Sequence, residues 1–208
     1  SDFEVIFVDD CSTDDTYSRL ITYQQSSTMN ISVFRNEKNS GPGEARNNGI
    51  KRAQGEYLAF LDSDDWYEKD FLQKMYKQFK VADAVMVFCD FYRDFGVNEN
   101  RQWIKITETY PAIKEHREFI ALCFDSLCVS VVRRRLFDVV SFPAIYNAED
   151  TALLPVLVYK SSKVSFVSEP LYHYLYRPGS LSTAKSEKIA ESFYEAFHFL
   201  RQNISDEY

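Results

Sequence analysis

Three groups of adjacent acidic residues mark the points of this 208-residue chain where chemistry is most plausible. Asp9-Asp10 and Asp62-Ser63-Asp64-Asp65 each end an apolar run, and Glu149-Asp150 opens a segment with helical periodicity. Adjacent carboxylates repel one another, and a divalent cation removes that cost. Mg²⁺ and Mn²⁺ take oxygen ligands and commonly join one or two carboxylates to substrate phosphates. The acids therefore indicate a site for a metal ion and a diphosphate.

Each group also has a simpler interpretation. Asp62 to Asp65 would equally cap the next helix and solvate a loop, and Glu149-Asp150 would be favourable at any helix N-terminus. An EF-hand calcium loop is disfavoured, because Trp66 and Tyr67 interrupt the required pattern of a glycine and a distal glutamate. Arg46 follows a glycine-rich turn, where it would hold a phosphate or a base, or else be an ordinary surface arginine.

An alternation of strands and helices must position these acids. In the first half the pattern predicts strands over 3–8, 31–34, 57–61 and 84–91, and helices over 12–25, 44–53 and 69–79. In the second half it predicts strands over 127–132, 164–167 and 171–176, and helices over 135–139, 149–159 and 187–203. This order is typical of an α/β sheet with an antiparallel extension. In such sheets, ligands bind beyond the carboxyl ends of the strands.

Composition sets the broad class of the protein. Hydrophobic residues make up 45% and aromatic residues 16%, with six glycines and six prolines, so the chain can bury a sizeable core. The formal charge of −7 disfavours nucleic acid as a partner. No apolar run is long enough for a membrane span and no signal peptide is recognisable. We expect one domain, 1–208, with a nucleotide half over 1–95 and a more variable half over 96–208.

The ordered blocks of the sequence resemble those of a family 2 glycosyltransferase with a GT-A fold. The blocks are 3–16, 39–49, 55–65, Glu149-Asp150, 170–174 and 177–180. The resemblance implies an α/β fold, a GT-A-type Rossmann-like mixed sheet flanked by helices. It also implies that this chain begins after the family's first strand, which carries a Pro-x-Tyr-Asn-type segment. We therefore expect an N-terminally truncated domain whose sheet has an unprotected edge or gap.

The same resemblance assigns roles residue by residue. Asp10, with Asp9 beside it, matches the acid that contacts uracil, and Asp62 matches the acid that contacts the ribose. Arg177 and Ser180 fall in a loop that closes over the diphosphate. The donor-binding residues implied are Asp9, Asp10, Arg46, Asp62, Asp64, Arg177 and Ser180.

The remaining assignments concern the metal and the catalytic base. Asp64 matches the metal ligand, Asp65 shares that role, and His173 is close enough in sequence to assist. Asp150 matches the acid proposed as catalytic base. The cofactor implied is Mn²⁺ or Mg²⁺, whose charge stabilises the leaving diphosphate while the base takes the acceptor's proton.

The expected function is an inverting transfer of a sugar from a nucleotide-diphosphate donor, UDP-linked, to a glycan, polysaccharide or lipid-linked acceptor. The expected location is cytoplasmic, with membrane contact at most peripheral. One alternative is a catalytically silent nucleotide- or carbohydrate-binding module of the same fold. A sugar nucleotidyltransferase is disfavoured, because its N-terminal glycine-rich, arginine-containing loop has no counterpart. Trp66 and Tyr146 neighbour acid groups and are candidates for stacking on sugar rings.

Overall fold

A computed structural model describes residues 2–96, 100–109, 126–180 and 186–204. The strands in these ranges are β1 (Val5–Asp9), β2 (Ile31–Arg35), β3 (Tyr57–Ala59), β4 (Trp66–Tyr67), β5 (Met86–Asp94), β6 (Arg101–Ile104), β7 (Ser130–Arg133) and β8 (Val164–Leu175). The helices are α1 (Thr16–Ser26), α2 (Pro42–Ile50), α3 (Phe71–Ala82), α4 (Ile106–Thr109), α5 (Glu149–Lys160) and α6 (Glu187–Asn203). Single 3-10 turns at Leu127–Val129 and Arg134–Asp138 flank β7.

The first acid group lies at the end of a two-stranded parallel sheet. β1 pairs with β2 from Val5 opposite Ile31 to Asp9 opposite Arg35, so Asp9-Asp10 emerges at the carboxyl end of β1. The sequence predicts β1 to be a buried strand, but its four apolar residues are only half-buried. The reason is that, among the described residues, β2 is the only strand with a ladder to β1.

A six-stranded mixed sheet forms the rest of the architecture. Its order is β3-β7-β5-β8-β4. The sixth strand, β6, pairs with the end of β5, beyond the residues of β5 that pair with β7. β5 and β8 run parallel, and every other pairing is antiparallel. β5 belongs to the 1–95 half but pairs with three strands of the 96–208 half, so one sheet continues across that boundary.

Helices pack against this sheet. α3 presents Phe71, Met75 and Phe79 at a spacing of four residues, and all three are fully buried. α5 is apolar on almost every side and buries Leu153 and Leu157 completely. Each such side chain contributes about 1.5–3 kcal/mol by leaving water. No helix in the described ranges has both the length and the apolarity needed to cross a bilayer.

Most predicted elements are confirmed, and the differences have local causes. The strand predicted over 127–132 begins as a 3-10 turn, because the Ser126 hydroxyl accepts the Cys128 N–H and ends the extended conformation there. The strands predicted over 164–167 and 171–176 are one strand, β8, whose ladder shifts register near Pro170. β4 and β6 were not predicted, since one has two residues and the other lies in a polar stretch.

Candidate active site

The centre of the site is Arg46, a mostly buried residue of α2 that contacts three carboxylates. Its Nη2 donates to Asp62 Oδ1 at 2.7 Å, and its Nη1 lies 2.5 Å from Glu149 Oε1 and 3.3 Å from Asp150 Oδ1. Burial acts to lower the pKa of Arg46, but Asp150 and Asp62 outweigh it and hold this pKa well above its ordinary value. Arg46 therefore joins the second acid group to the third as a permanent cation.

Close packing of α2 against the start of α5 makes these contacts possible. Gly43 approaches so closely that a Cβ there would lie 3.2 Å from the Pro143 carbonyl oxygen and 3.4 Å from Glu149 Cβ. One turn later, the buried Asn47 accepts the Phe142 N–H and donates to the Phe142 carbonyl, both at 3.0 Å. Gly43 permits the close approach of the two segments, and Asn47 holds it with two hydrogen bonds to the Phe142 backbone. Together they fix the distance between Arg46 and the acids of α5.

Asp150 is a mostly buried carboxylate at the first turn of α5, with its side chain 13% exposed. Its Oδ2 accepts the Leu127 N–H at 3.0 Å, and its Oδ1 faces Arg46. Burial raises the pKa of Asp150 to about 7, although Arg46 counteracts the rise. A carboxyl group with a pKa near neutrality can take and release a proton at physiological pH, which suits a general base.

Asp65 and Asp64, the last acids of the second group, point to different partners. Asp65 accepts the Tyr172 hydroxyl through Oδ2 and the Leu175 N–H through Oδ1, the latter at 2.8 Å. Burial raises the pKa of Asp65 to about 6. Asp64 is instead ion-paired with Arg177, which lies just beyond β8. β8 therefore fixes Asp65, while Arg46 of α2 links Asp62 to the first turn of α5.

The loop after β8 carries both of its predicted donor-binding residues. The Arg177 side chain is 58% exposed, and the Ser180 N–H donates to the Arg177 carbonyl at 3.3 Å. Gly179 between them has φ +83°, a conformation that glycine adopts without strain. This turn brings the Arg177 guanidinium to Asp64.

The two acids after β1 lie in a separate group of contacts. Asp10 accepts the Gly41 N–H at 2.7 Å, the Ser40 N–H at 3.0 Å and the Asn36 side-chain amide at 2.7 Å. It therefore fixes the turn at which α2 begins. Asp9 is buried, pairs with Arg35 at 3.1 Å and accepts the Ser12 N–H. These contacts stabilise the loop but do not by themselves indicate a nucleotide.

His173 of β8 is held between two carboxylates. Its Nδ1 lies 2.8 Å from Asp94 Oδ2 and its Nε2 lies 3.0 Å from Glu68 Oε1, while its ring stacks on Trp66. Both ring nitrogens are thus engaged away from Asp64. Among residues 2–96, 100–109, 126–180 and 186–204, no three acidic, histidine or cysteine side chains converge on one metal position.

Sequence reasoning missed several residues that shape the site. It assigned Glu149 no role beyond marking the helix start, although Glu149 makes the shortest contact with Arg46. It did not identify Tyr172 and Leu127 as partners of Asp65 and Asp150. The adjacency of Glu149 to Asp150 was the one available signal, because hydrogen bonds between residues more than 20 positions apart leave no local pattern.

Several known proteins resemble this chain. Residues 1–141 match the model for the family described as glycosyl transferase family 2. Glycosyltransferase GlyA of Streptococcus pneumoniae is 27% identical over 93% of this chain and 29% of GlyA. Putative glycosyltransferase EpsH of Bacillus subtilis is 30% identical over 91% of this chain and 57% of EpsH.

A solved structure matches the fold as well as the sequence. The crystal structure of Staphylococcus aureus TarS 1–349 in complex with UDP-GlcNAc superposes with a TM-score of 0.77 and 26% identity, covering 96% of this chain and 56% of that one. TarS is named a poly(ribitol-phosphate) β-N-acetylglucosaminyltransferase. The expected GT-A-type α/β fold is confirmed by this likeness. Because the family model covers more than half of the sequence, this chain belongs to glycosyltransferase family 2.

Proposed function

We propose that this protein is an inverting, metal-dependent glycosyltransferase that moves a sugar from a UDP-sugar to a cell-envelope polysaccharide. The observation that carries the proposal is the position of Arg46, which holds Asp62 on one side and Asp150 with Glu149 on the other. The UDP-GlcNAc bound by TarS and the polymer in its name support the donor and acceptor classes. The chain spans 29% of GlyA and 35% of TarS.

Asp150 acts as the base in this proposal. The acceptor hydroxyl gives its proton to the Asp150 carboxylate as the oxygen attacks the anomeric carbon from the face opposite the leaving diphosphate. One displacement from that face inverts the anomeric configuration. Arg46 and the Leu127 N–H hold the carboxylate in place during the transfer. A positioned general base of this kind contributes roughly 10²–10⁴-fold in rate.

The donor occupies the region between Asp62 and Arg177. Asp10 and Asp9 lie beside the uracil of the donor, and Asp62 lies beside its ribose. Arg177 and Ser180 lie beside its diphosphate. Arg177 is paired with Asp64, and in this proposal donor binding redirects its exposed guanidinium from that carboxylate to phosphate oxygens. Arginine suits this exchange because its planar fork matches both groups.

The carboxylate oxygens of the second acid group are suitable ligands for Mg²⁺ or Mn²⁺. These ions need only one or two carboxylates when substrate phosphates complete the coordination, so the absence of a third converging ligand in the described residues is compatible with them. Asp64 would hold the ion, with Asp65 as a further candidate ligand, and His173 would join them only by giving up its contact with Glu68 or Asp94. When bound, the ion supplies positive charge to the leaving diphosphate.

Release of UDP from UDP-glucose, UDP-galactose and UDP-GlcNAc with Mn²⁺ present tests the function. We expect turnover of at least one donor by the wild type and by the control Asp138→Asn, whose side chain is exposed. Asp150→Asn should lose roughly 100-fold or more of that rate while still binding UDP. If the wild type binds UDP and turns over none of the three donors, the protein is a binding module of the same fold.

A further inference from the structure

A row of four aromatic rings crosses four neighbouring strands of the larger sheet beside the proposed active site. The row is defined by Trp66, His173, Tyr92 and Trp103, on the adjacent strands β4, β8, β5 and β6. Trp66 pairs with His173, His173 with Tyr92, and Tyr92 with Trp103. We propose that this row is a docking surface for an uncharged stretch of the acceptor glycan. The proposal rests on the proposed function, since it describes how that site takes its acceptor.

The rings stand side by side on one face of the sheet. The Trp66 and His173 rings are stacked, with centroids 4.8 Å apart and planes within 15°. His173 and Tyr92 follow at 5.1 Å, and Tyr92 and Trp103 at 6.4 Å. Three strand spacings make the row about 14 Å long, which matches a short oligosaccharide rather than a single sugar.

The two ends of the row are open while its middle is covered. His173 is buried beneath its neighbours, whereas Trp66 and Trp103 are each 43% exposed and lie on strands at opposite edges of the sheet. A purely structural ladder needs only the covered pairs, which contribute about 0.2–1 kcal/mol each. The large exposed indoles at both ends are the feature that points to a ligand.

The polar groups around the row select the occupant. Glu68 and Asp94 bond to His173, while Arg101 and Lys105 lie 4.3 and 4.8 Å above the Tyr92 and Trp103 rings. Acids lie at one part of the row and bases at another, and the described residues give this surface no positive excess of the kind that an anionic polymer or a lipid headgroup would need.

Sugars match this combination of rings and mixed polar groups. The C–H bonds on one face of a pyranose carry partial positive charge and pack against the negative face of an aromatic ring, while the hydroxyl groups bond to carboxylates and guanidinium groups. The row is also continuous with the proposed active site. Trp66 directly follows Asp65, and the residue before His173, Tyr172, donates to Asp65. A glycan on the row would thus lead to the acid group.

The composition of the chain allows a direct binding test, because Trp66 and Trp103 are its only two tryptophans. Tryptophan emission of the wild type, titrated with cellohexaose, chitohexaose and mannohexaose, reports on the row alone. We expect a saturable emission change with at least one hexasaccharide and a weaker one with its monosaccharide. Trp66→Phe and Trp103→Phe, each keeping one tryptophan, show whether both ends sense the glycan.

Affinity and folding are then measured for Trp103→Ala, with Tyr194→Ala on the exposed face of α6 as control. Loss of the indole should weaken hexasaccharide binding by roughly threefold to tenfold, while UDP binding stays close to that of the control. The melting temperature should fall, because the buried Asp90 loses the N–H that Trp103 Nε1 donates to it at 3.2 Å. The proposal is overturned if no hexasaccharide changes the emission, or if Trp103→Ala binds as the wild type does. Intact glycan binding without UDP turnover would instead overturn the proposed function but support the proposal that the row binds a glycan.

Discussion

Nη1 of Arg46 lies 3.3 Å from Oδ1 of Asp150, although the two residues are 104 positions apart in the chain. The same guanidinium bonds to Asp62, so a single side chain joins the acid group after β3 to the first turn of α5. This arrangement makes Arg46 a positioning residue for the proposed base. It also gives the buried Asp150 a neighbouring positive charge.

Arg46→Ala should destabilise the fold strongly. The variant leaves Glu149 and Asp150 buried without their cation, and breaking a buried ion pair in this way costs about 3–5 kcal/mol. Urea unfolding measures the loss. The exposed Arg135→Ala serves as control and should stay within about 0.5 kcal/mol of the wild type. Equal stability of the two variants would contradict the account of Arg46.

The rate of UDP release should depend on the ionisation of Asp150. Its pKa is raised to about 7 by burial, and a general base works only when deprotonated. The apparent second-order rate constant should therefore rise with pH through about 7 and level off above it. A profile that is flat from pH 5 to pH 9, spanning roughly two pH units on each side of that pKa, would remove Asp150 from this role.

Asp150 should also make the wild type less stable as the pH rises. Its native pKa of about 7 exceeds the ordinary value of 3.8, so between these values the native state holds a proton that the unfolded state has released. The free energy of unfolding contributed by this group falls with rising pH over that range and is constant above it. Asp150→Asn removes the group, so the urea concentration at the unfolding midpoint should depend less on pH between about 4 and 7. An unchanged slope would contradict this.

Asp10→Asn should loosen the start of α2. The Asp10 carboxylate accepts the N–H groups of Ser40 and Gly41, and an asparagine amide placed there would set donor against donor. We expect a loss of about 1–3 kcal/mol in unfolding free energy and weaker UDP binding. Asp15→Asn is the matched control, since Asp15 is exposed and its side chain makes no helix cap. If both variants behave alike, the Asp10 contacts contribute nothing.

The sequence predicted the fold better than the interactions within the site. Strand and helix periods are local signals, so α6 was predicted with both of its ends and most other elements within a few residues. Asp150 was assigned as the base from the resemblance to family 2 glycosyltransferases. Its partner Leu127, and the contact of Asp65 with Tyr172, depend on how distant strands pair and leave no local trace.

Two assignments show where a motif alone falls short. Arg46 was expected to hold a phosphate or a base, yet in the structure it is enclosed by three carboxylates. His173 was expected near the metal on sequence proximity, and β8 instead turns its ring toward Trp66, Glu68 and Asp94. Their roles toward donor and metal stay predictions.

Calorimetric titration of UDP in the presence of Mn²⁺ tests the central claim most directly, since it needs neither the correct sugar nor the acceptor. The account predicts saturable binding to the wild type and to Asp138→Asn, and a loss of roughly tenfold or more for Asp64→Asn, in which the carboxylate proposed to hold the metal ion is neutralised. Undetectable binding to the wild type, or equal affinity in Asp64→Asn, would contradict it.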